Sequence, residues 1–404
     1  MSAGPPHQRS DTEPELLGPD GKVDRDAIAA LYERQEADED SPVTVTFTLT
    51  RDLDKRLDRY LVDRVPFLSR TSLQRLIRES AVSVNGRVPK PSTHLRAGDV
   101  VVAVLPPPPS NEIEADEIPL EVLFEDQDLI VVNKQPGLIV HPARSHKRGT
   151  LINALAWHFL HRSGGSLSTV GGEFARPGVV HRLDKHTSGV MVAAKSDTAH
   201  WRLGKQFERR TTGKRYLAVA HGWVEPDADM IDLPLGKHPT VKEMYAVRWD
   251  ETGKPSQTVA RVRERYEVPA PRSGERIHPV HGGRFSLVEL ELRTGRTHQI
   301  RVHLSHLGFP IAGDDMYGGR WLTASQLQGR VTPREEPLLL QRQALHAATL
   351  AFEHPISGQP MAFAARVPPD LAAVVAALRA HPFTQVDASG STVDLAAAGV
   401  PRPA

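Results

Sequence analysis

Four consecutive prolines, Pro106–Pro109, constrain this chain more than any other feature. Proline lacks the amide proton that a helix interior or a central strand requires, so no regular element runs through that stretch. The chain is therefore read as two parts joined by a stiff, proline-rich linker over residues 106–119. A small part precedes the linker, and most of the 404 residues follow it.

The small part begins with an acidic leader, residues 1–41, that has few large apolar residues and no sustained period; it is expected to be mostly disordered. Val43, Val45, Phe47 and Leu49 then alternate with threonines, the pattern of a half-buried strand. Leu57, Leu61 and Val65 follow at helical spacing. A second helix is expected to start at Ser69 as its N-cap, with Leu73, Leu76 and Ile77 inward and Arg70, Arg75 and Arg78 outward. Val82 and Val84 lead into Asn85-Gly86, a tight hairpin signal, and Val100–Leu105 closes a small α+β module over 43–105.

Beyond residue 120 the pattern is again α+β, strands and helices without the repeating rhythm of a doubly wound sheet. Strands are expected at Leu129–Val132, from Gly137 to His141, at Gly189–Ala194, Arg215–Ala220 and Phe285–Leu292. Helices are expected after Thr150 and at 198–210. A short one should be capped by Thr297, with Ile300, Leu304 and Leu307 inward. The stretches 269–284 and 320–337 read as inserted surface loops. Residues 371–404 read as a terminal helix and a loose tail.

The charge of the chain sums to +1 but is unevenly placed. Residues 51–96 carry 11 basic and 5 acidic residues, and 181–215 carry 9 and 3, a net of +6 each. Residues 1–50 carry 4 and 11, a net of −7. The two positive blocks are candidate contacts for a polyanion. With no cysteine in the chain, disulfides, thiolate zinc sites and a cysteine nucleophile are excluded. The longest apolar runs fall far short of the ~20 residues of a membrane span, and the first residues lack the apolar stretch of a secretory signal. A cytoplasmic protein is expected.

Three segments hold residues able to do chemistry. His181-Arg182-Leu183-Asp184-Lys185-His186-Thr187-Ser188-Gly189 crowds ionisable groups between two apolar strands, where Asp184 can act as a nucleophile or base, or simply cap a turn. Lys214-Arg215-Tyr216 puts Tyr216 on a strand face with Ala218 and Ala220, suited to stacking on a flat ligand or to ordinary core packing. In Thr294–His303, Arg301 sits beside apolar Ile300 and Leu304, where a guanidinium pairs with a carboxylate or phosphate. His298, His303 and His306 invite a metal reading, but their offsets share a helix face poorly.

Together and in this order, these segments resemble the RluA/RluD-type family of RNA pseudouridine synthases. The nine-residue motif His181–Gly189 carries most of the likeness. Arg176 to Val180, Val132-Asn-Lys134, Gly137 to Pro142, Lys214 to Gly222, Thr294 to His303, Gly313-Asp314 with Tyr317-Gly318, Gln343 to His346 and His354-Pro355 add to it. The likeness covers about 120–370, with His186 standing where the family usually has an acid. The module at 43–105 is similar to the RNA-binding domain named after small-subunit ribosomal protein S-four.

The resemblance implies a mixed, mainly antiparallel sheet with flanking helices, and isomerisation of uridine to pseudouridine without cofactor or metal. It makes Asp184 the essential aspartate, Tyr216 the residue that stacks on the base, and Arg301 the partner of the aspartate. Arg182 would fill the gap left by a flipped base, with His181 and Lys214 beside it and Arg70, Arg75 and Arg78 holding RNA from the first module. The expected partner is structured RNA, large-subunit ribosomal RNA before transfer RNA, and the expected state a monomer. The competing readings are a non-catalytic RNA-binding or ribosome-assembly factor and a metal-dependent hydrolase.

Overall fold

A computed structural model describes residues 16–28, 43–105, 113–141, 148–168, 177–269, 282–330 and 335–402. The chain forms two compact units, residues 1–112 and 113–404. Pro106–Pro109 and most of the 269–284 insertion lie outside the described residues.

In the first unit, β1 (Val43–Thr48) alternates buried and exposed residues and pairs with β3 (Val100–Leu105), which also pairs with β2 (Val82–Val84), all antiparallel. Asn85 and Gly86 form the expected tight turn at positive φ, but the hairpin stops there. Only Val84 and Arg87 bridge across it, and β2 takes β3 as its partner. Between β1 and β2 lie α1 (Leu57–Arg64) and α2 (Arg70–Arg78). Ser69 Oγ accepts the Ser72 amide and starts α2, as its sequence predicts. Leu73 and Ile77 are buried with Leu57, Leu61, Val101 and Ala103, while Leu76 is half-buried.

The leader is not featureless. Val23 and Ile28 are buried in this same core, and the Arg64 guanidinium donates to the carbonyl of Gly21 at 2.8 Å. These two residues, with partly buried Leu16 and Leu17 and a bond from the Val23 amide to Arg64 O, dock a segment that composition marks as polar.

The second unit is built on one ten-stranded sheet. Its strands in chain order are β4 (Glu121–Glu125), β5 (Leu129–Lys134), β6 (Ser188–Ala194), β7 (Gly213–His221), β8 (Ala228–Asp232), β9 (Gln257–Glu267), β10 (Arg284–Leu292), β11 (Leu345–Glu353), β12 (Pro360–Ala364) and β13 (Phe383–Gln385). The spatial order is β13-β9-β10-β7-β11-β6-β5-β4, with β8 added to β9 and β12 to β11. The β6–β11 pair is parallel and the others are antiparallel, so the sheet is mixed and mainly antiparallel. Helices α3 (Leu151–His158), α4 (Asp197–Arg209), α5 (Gln299–His306), α6 (Ala324–Leu327) and α7 (Pro369–Arg379) accompany it.

Several expectations change here. No strand follows Gly137: Leu138 and Val140 are buried, and the carbonyls of Ile139 and Val140 accept the amides of Leu151 and Ile152. Those carbonyls serve the exposed amides at the start of α3 instead of a ladder. Helix α5 begins at His298, not Thr297, and Leu307 lies exposed beyond its end. The stretch 320–337 is more than a surface loop, since it holds α6 and buries Leu322 and Leu327. Residues 113–119 do not act as linker, because Ile113 and Ile118 pack on the main core. The tail is not loose either: β13 pairs with β9, and Val393, Ala398 and Val400 are buried in the same core.

Candidate active site

The loop between Val180 and Ser188 is held from four sides. Gly137 donates its amide to Lys185 O at 2.9 Å, and Lys134 Nζ donates to Lys185 O at 3.1 Å. Arg342 donates to His186 O at 3.1 Å, and Gln343 donates to Thr187 Oγ1 at 3.2 Å. Thr187 N closes a turn onto Asp184 O. Gly189, with φ +120°, completes the frame: a Cβ there would fall 2.2 Å from Ala347 O on β11, so only glycine lets β6 approach that strand.

Lys134 is fully buried, and its other ammonium protons go to Gln135 O and Leu138 O, both at 2.9 Å. Burial pulls its pKa down to about 7, against the opposing pull of the Asp184 charge. His181 is structural in this frame. Its Nε2 accepts the Val192 amide at 3.1 Å and its ring stacks on Phe207 at 4.5 Å. Burial lowers its pKa to about 3, in keeping with a neutral, accepting imidazole.

The loop delivers Asp184 to a cavity of about 480 Å³, lined also by Arg182, Lys214, Tyr216, His298 and Arg301. That volume lies in the ~300–1,000 Å³ range of small-ligand sites. Five Arg or Lys side chains and two carboxylates line it, which suits a phosphate-bearing ligand. Asp184 Oδ2 lies 3.3 Å from Arg301 Nη1 and 3.8 Å from His298 Nε2. Arg301 is itself gripped by fully buried Asp314, Nε to Oδ2 at 2.6 Å and Nη2 to Oδ1 at 2.8 Å. Its guanidinium carbon stands 4.8 Å from the Tyr317 ring centroid. Burial opposes the Arg301 charge, but Asp314 and Asp184 more than offset it, and its pKa is raised.

Tyr216 reaches the cavity from β7, where strand geometry puts it on one face with Ala218 and Ala220 and both faces are buried from Tyr216 onward. Its strand neighbours are Leu290 on β10 and Ala347 on β11. Burial, with the Asp184 charge, raises its phenol pKa, so the ring enters the site protonated. Lys214, two residues back, has its pKa lowered by burial and by the charge of Arg210. Arg182 is exposed.

The structure thus brings Asp184, Tyr216, Arg301, Arg182, His181 and Lys214 around one cavity. Arg70, Arg75 and Arg78 belong to the other unit. There, Arg70 is not the free phosphate contact its sequence position predicts: its Nη2 donates to buried Asp58 Oδ2 at 2.8 Å, beside Arg56 and Gln74. Burial alone would raise the Asp58 pKa, but these donors hold it far below the usual carboxylate range. A buried acid on α1 has claimed the arginine on α2.

The metal reading of the three histidines fails. His303 is buried with Nδ1 at 3.0 Å from Thr258 Oγ1 and Nε2 at 3.1 Å from Leu233 O, so both of its ring nitrogens already have partners. Among the described residues, Asp126, Asp128 and His354 form the one cluster with metal-ligand spacing. Local groups occupy it: Asp126 Oδ1 accepts the amides of Asp128 and Leu129, and Oδ2 lies 2.8 Å from His354 Nε2.

Lys134, Asp314 and Tyr317 have no role in the sequence reading of this site, and His298 enters it only as a candidate metal ligand. Asp314 is 13 residues from Arg301 and 130 from Asp184, so no spacing argument joins them. The one available signal was that each stands in a segment the family resemblance includes.

Residues 128–306 match the RNA pseudouridylate synthase family, and residues 55–101 match the S4 domain. An uncharacterized RNA pseudouridine synthase, YlyB, of Bacillus subtilis is 37% identical over 325 residues, 80% of this chain and 94% of the relative. The ribosomal large subunit pseudouridine synthase D of Zymomonas mobilis is 38% identical over 331 residues, 81% of this chain and 95% of the relative. Its counterpart in Vibrio parahaemolyticus is 37% identical over 328 residues, with 81% and 92% covered.

Proposed function

The chain belongs to the RNA pseudouridine synthases, which are isomerases, and from that premise we propose that Asp184 drives isomerisation of uridine in large-subunit ribosomal RNA. The observation that carries this reading is the buried chain Asp314–Arg301–Asp184, which presents one carboxylate to a cavity shared with a buried tyrosine.

Pseudouridine forms when the C1′–N1 bond breaks and a C1′–C5 bond replaces it, with a proton leaving C5 and another reaching N1. Atoms and electrons balance within the nucleotide, so the reaction calls for no redox partner or energy source. The base must leave its stack to be reached, at a cost of a few kcal/mol. Arg182, exposed at the cavity, is suited to occupy the place it vacates. Tyr216 offers a stacking face worth roughly 1–3 kcal/mol per base, and we assign its phenol the transfer of the last proton. Attack on the base, attack on the sugar and removal of a sugar proton all require an ionised Asp184. Arg301 pairs with the carboxylate and fixes its place, limiting the loss of about 100-fold that a misplacement near 1 Å brings.

The ribosomal target is supported by the two relatives that are large-subunit pseudouridine synthases and by the basic stretch 51–96, with transfer RNA as the second choice. The reading takes the protein to be a monomer that acts in the cytoplasm. Asp184→Asn should fold and bind RNA yet release no tritium from RNA labelled at uridine C5. Turnover above about a hundredth of wild type would sink the role, since losing such a group costs several orders of magnitude. Mapping pseudouridines in ribosomal and transfer RNA of a deletion strain identifies the substrate.

A further inference from the structure

His298 has no part in the reading above, yet its placement is specific. It stands at φ 55°, ψ 19°, a left-handed backbone that non-glycine residues rarely adopt, at the N-cap of α5. Its carbonyl accepts the Val302 amide at 2.9 Å, but no side-chain cap hydrogen bond comes from it, so the ring itself does not serve the helix. What the conformation does is aim the imidazole into the cavity. Such strain is stored at functional sites when surrounding contacts over-determine it.

Those contacts fix the ring. The edges of Tyr245 and Tyr317 flank it, with centroids at 5.8 and 5.6 Å and planes near perpendicular. Tyr317 OH accepts the Tyr245 amide at 3.0 Å and lies 2.8 Å from His298 Nδ1. Since its oxygen already accepts a backbone proton, its own proton is free for Nδ1. The imidazole proton then sits on Nε2, which faces Asp184 Oδ2 at 3.8 Å. The opposite tautomer would set a lone pair against a carboxylate. Burial, with Arg301 and Arg182 nearby, favours a neutral ring, although Asp184 and Asp314 pull the other way. Arg301 Nη1 hydrogen-bonds Oδ2 of Asp184, and His298 Nε2 faces the same oxygen from just beyond hydrogen-bond length, a contact of the kind that tightens when substrate binds; no described residue holds Oδ1.

We propose that His298 is a positioning residue for the isomerisation: neutral, with its proton on Nε2, it shares Oδ2 of Asp184 with Arg301 and leaves Oδ1 to meet the substrate. Tyr317 is the group that sets this tautomer. The inference rests on the assignment of Asp184 as the acting carboxylate.

Glutamine and asparagine separate this role from packing. A glutamine amide reaches about as far as Nε2 and restores a donor to Asp184. An asparagine amide ends near Nδ1; it tolerates the left-handed backbone and keeps a partner for Tyr317 but cannot reach Asp184. With full-length protein and C5-tritiated ribosomal RNA, His298→Asn should lower kcat about 30- to 100-fold with KM within threefold. His298→Gln should stay within about fivefold of wild type. Tyr317→Phe, which keeps the ring, should lower kcat about tenfold, and the Asn–Phe double variant should be no slower than His298→Asn alone. Wild-type kcat in His298→Asn, equal losses in Asn and Gln, or losses that multiply in the double variant would each overturn the proposal. Should His298→Asn not fold, Tyr317→Phe decides: a raised KM at unchanged kcat overturns the proposal, and a lowered kcat at unchanged KM supports it. A wild-type protein that releases no tritium defeats instead the reading on which this rests.

Discussion

Single residues in this site are set by neighbours that sequence distance hides. Asp184 and Tyr216 could be picked out because a carboxylate in a polar loop and a tyrosine on an alanine-lined strand are local patterns. Asp314 and Tyr317 could not, because what defines them is contact with Arg301 and His298. Lys134 is the sharpest case. Its segment reads as the end of an apolar strand, yet the ammonium is fully buried against three carbonyls and carries the loop of Asp184. An unfolded lysine keeps its proton to about pH 10.4, whereas Lys134 in the fold has a pKa of about 7. Between these values the unfolded chain binds more protons, so this residue makes the fold more stable as pH rises through that window. Denaturant unfolding at pH 7 and 9.5 should show that gain in wild type and lose it in Lys134→Met; equal pH slopes in the two proteins would refute the assignment. Tyr216 gives a second test. Tyr216→Phe should keep RNA affinity but slow turnover, and Tyr216→Ala should harm both. Wild-type turnover by the phenylalanine variant would leave only the stacking role.

At the scale of elements, the legible ones are those whose own period makes them. The alternation of Val43 to Leu49 and the Ser69 cap of α2 describe β1 and α2 nearly residue for residue. The tail was opaque because its order comes from long-range partners. Strand β13 has three residues, too few for a period, and exists because Phe383 faces Tyr266 across the edge of β9. Further on, the amides of Thr392 and Val393 donate to the fully buried carboxylate of Glu289, at 3.0 and 3.2 Å. Arg215 and Arg263 donate to the same carboxylate from β7 and β9. Arg215 adjoins Tyr216, so the tail helps hold the strand that presents the tyrosine. Removing residues 383–404 should therefore destabilise the second unit by about 2–5 kcal/mol, from two charge-assisted hydrogen bonds lost at a buried acid and from newly exposed apolar area. A urea unfolding shift below about 1 kcal/mol would show the tail to be ornamental after all.

For the whole molecule, four prolines sufficed to divide the chain, and the division agrees with two separate cores, one around Leu57, Leu73 and Val101 and one around Ile130, Leu217 and Val288. Every described residue that lines the cavity lies in the second unit, so the proposed chemistry is placed there whole. What the first unit offers is charge, a net of +6 over residues 51–96. Its arginines are not equal, however. Arg70 is spent on Asp58, whereas Arg75 and Arg78 stay exposed, with Glu79 4.0 Å from Arg75 and Gln74 3.5 Å from Arg78. Contacts so long and so exposed contribute little, which leaves both guanidinium groups available to phosphates. Each phosphate neutralised steepens the log–log salt dependence of binding by roughly 0.7–0.9. A chain beginning at Ile113 should therefore still isomerise uridine in short RNA fragments. On long structured RNA it should bind more weakly and with a salt slope shallower by at least one unit. Arg75→Gln with Arg78→Gln in the full chain should reproduce most of that change in slope, while Arg70→Gln should instead destabilise the first unit, because buried Asp58 would keep only Arg56 and Gln74 as donors. Identical salt slopes for the full and shortened chains would mean that the first unit is no anchor for RNA.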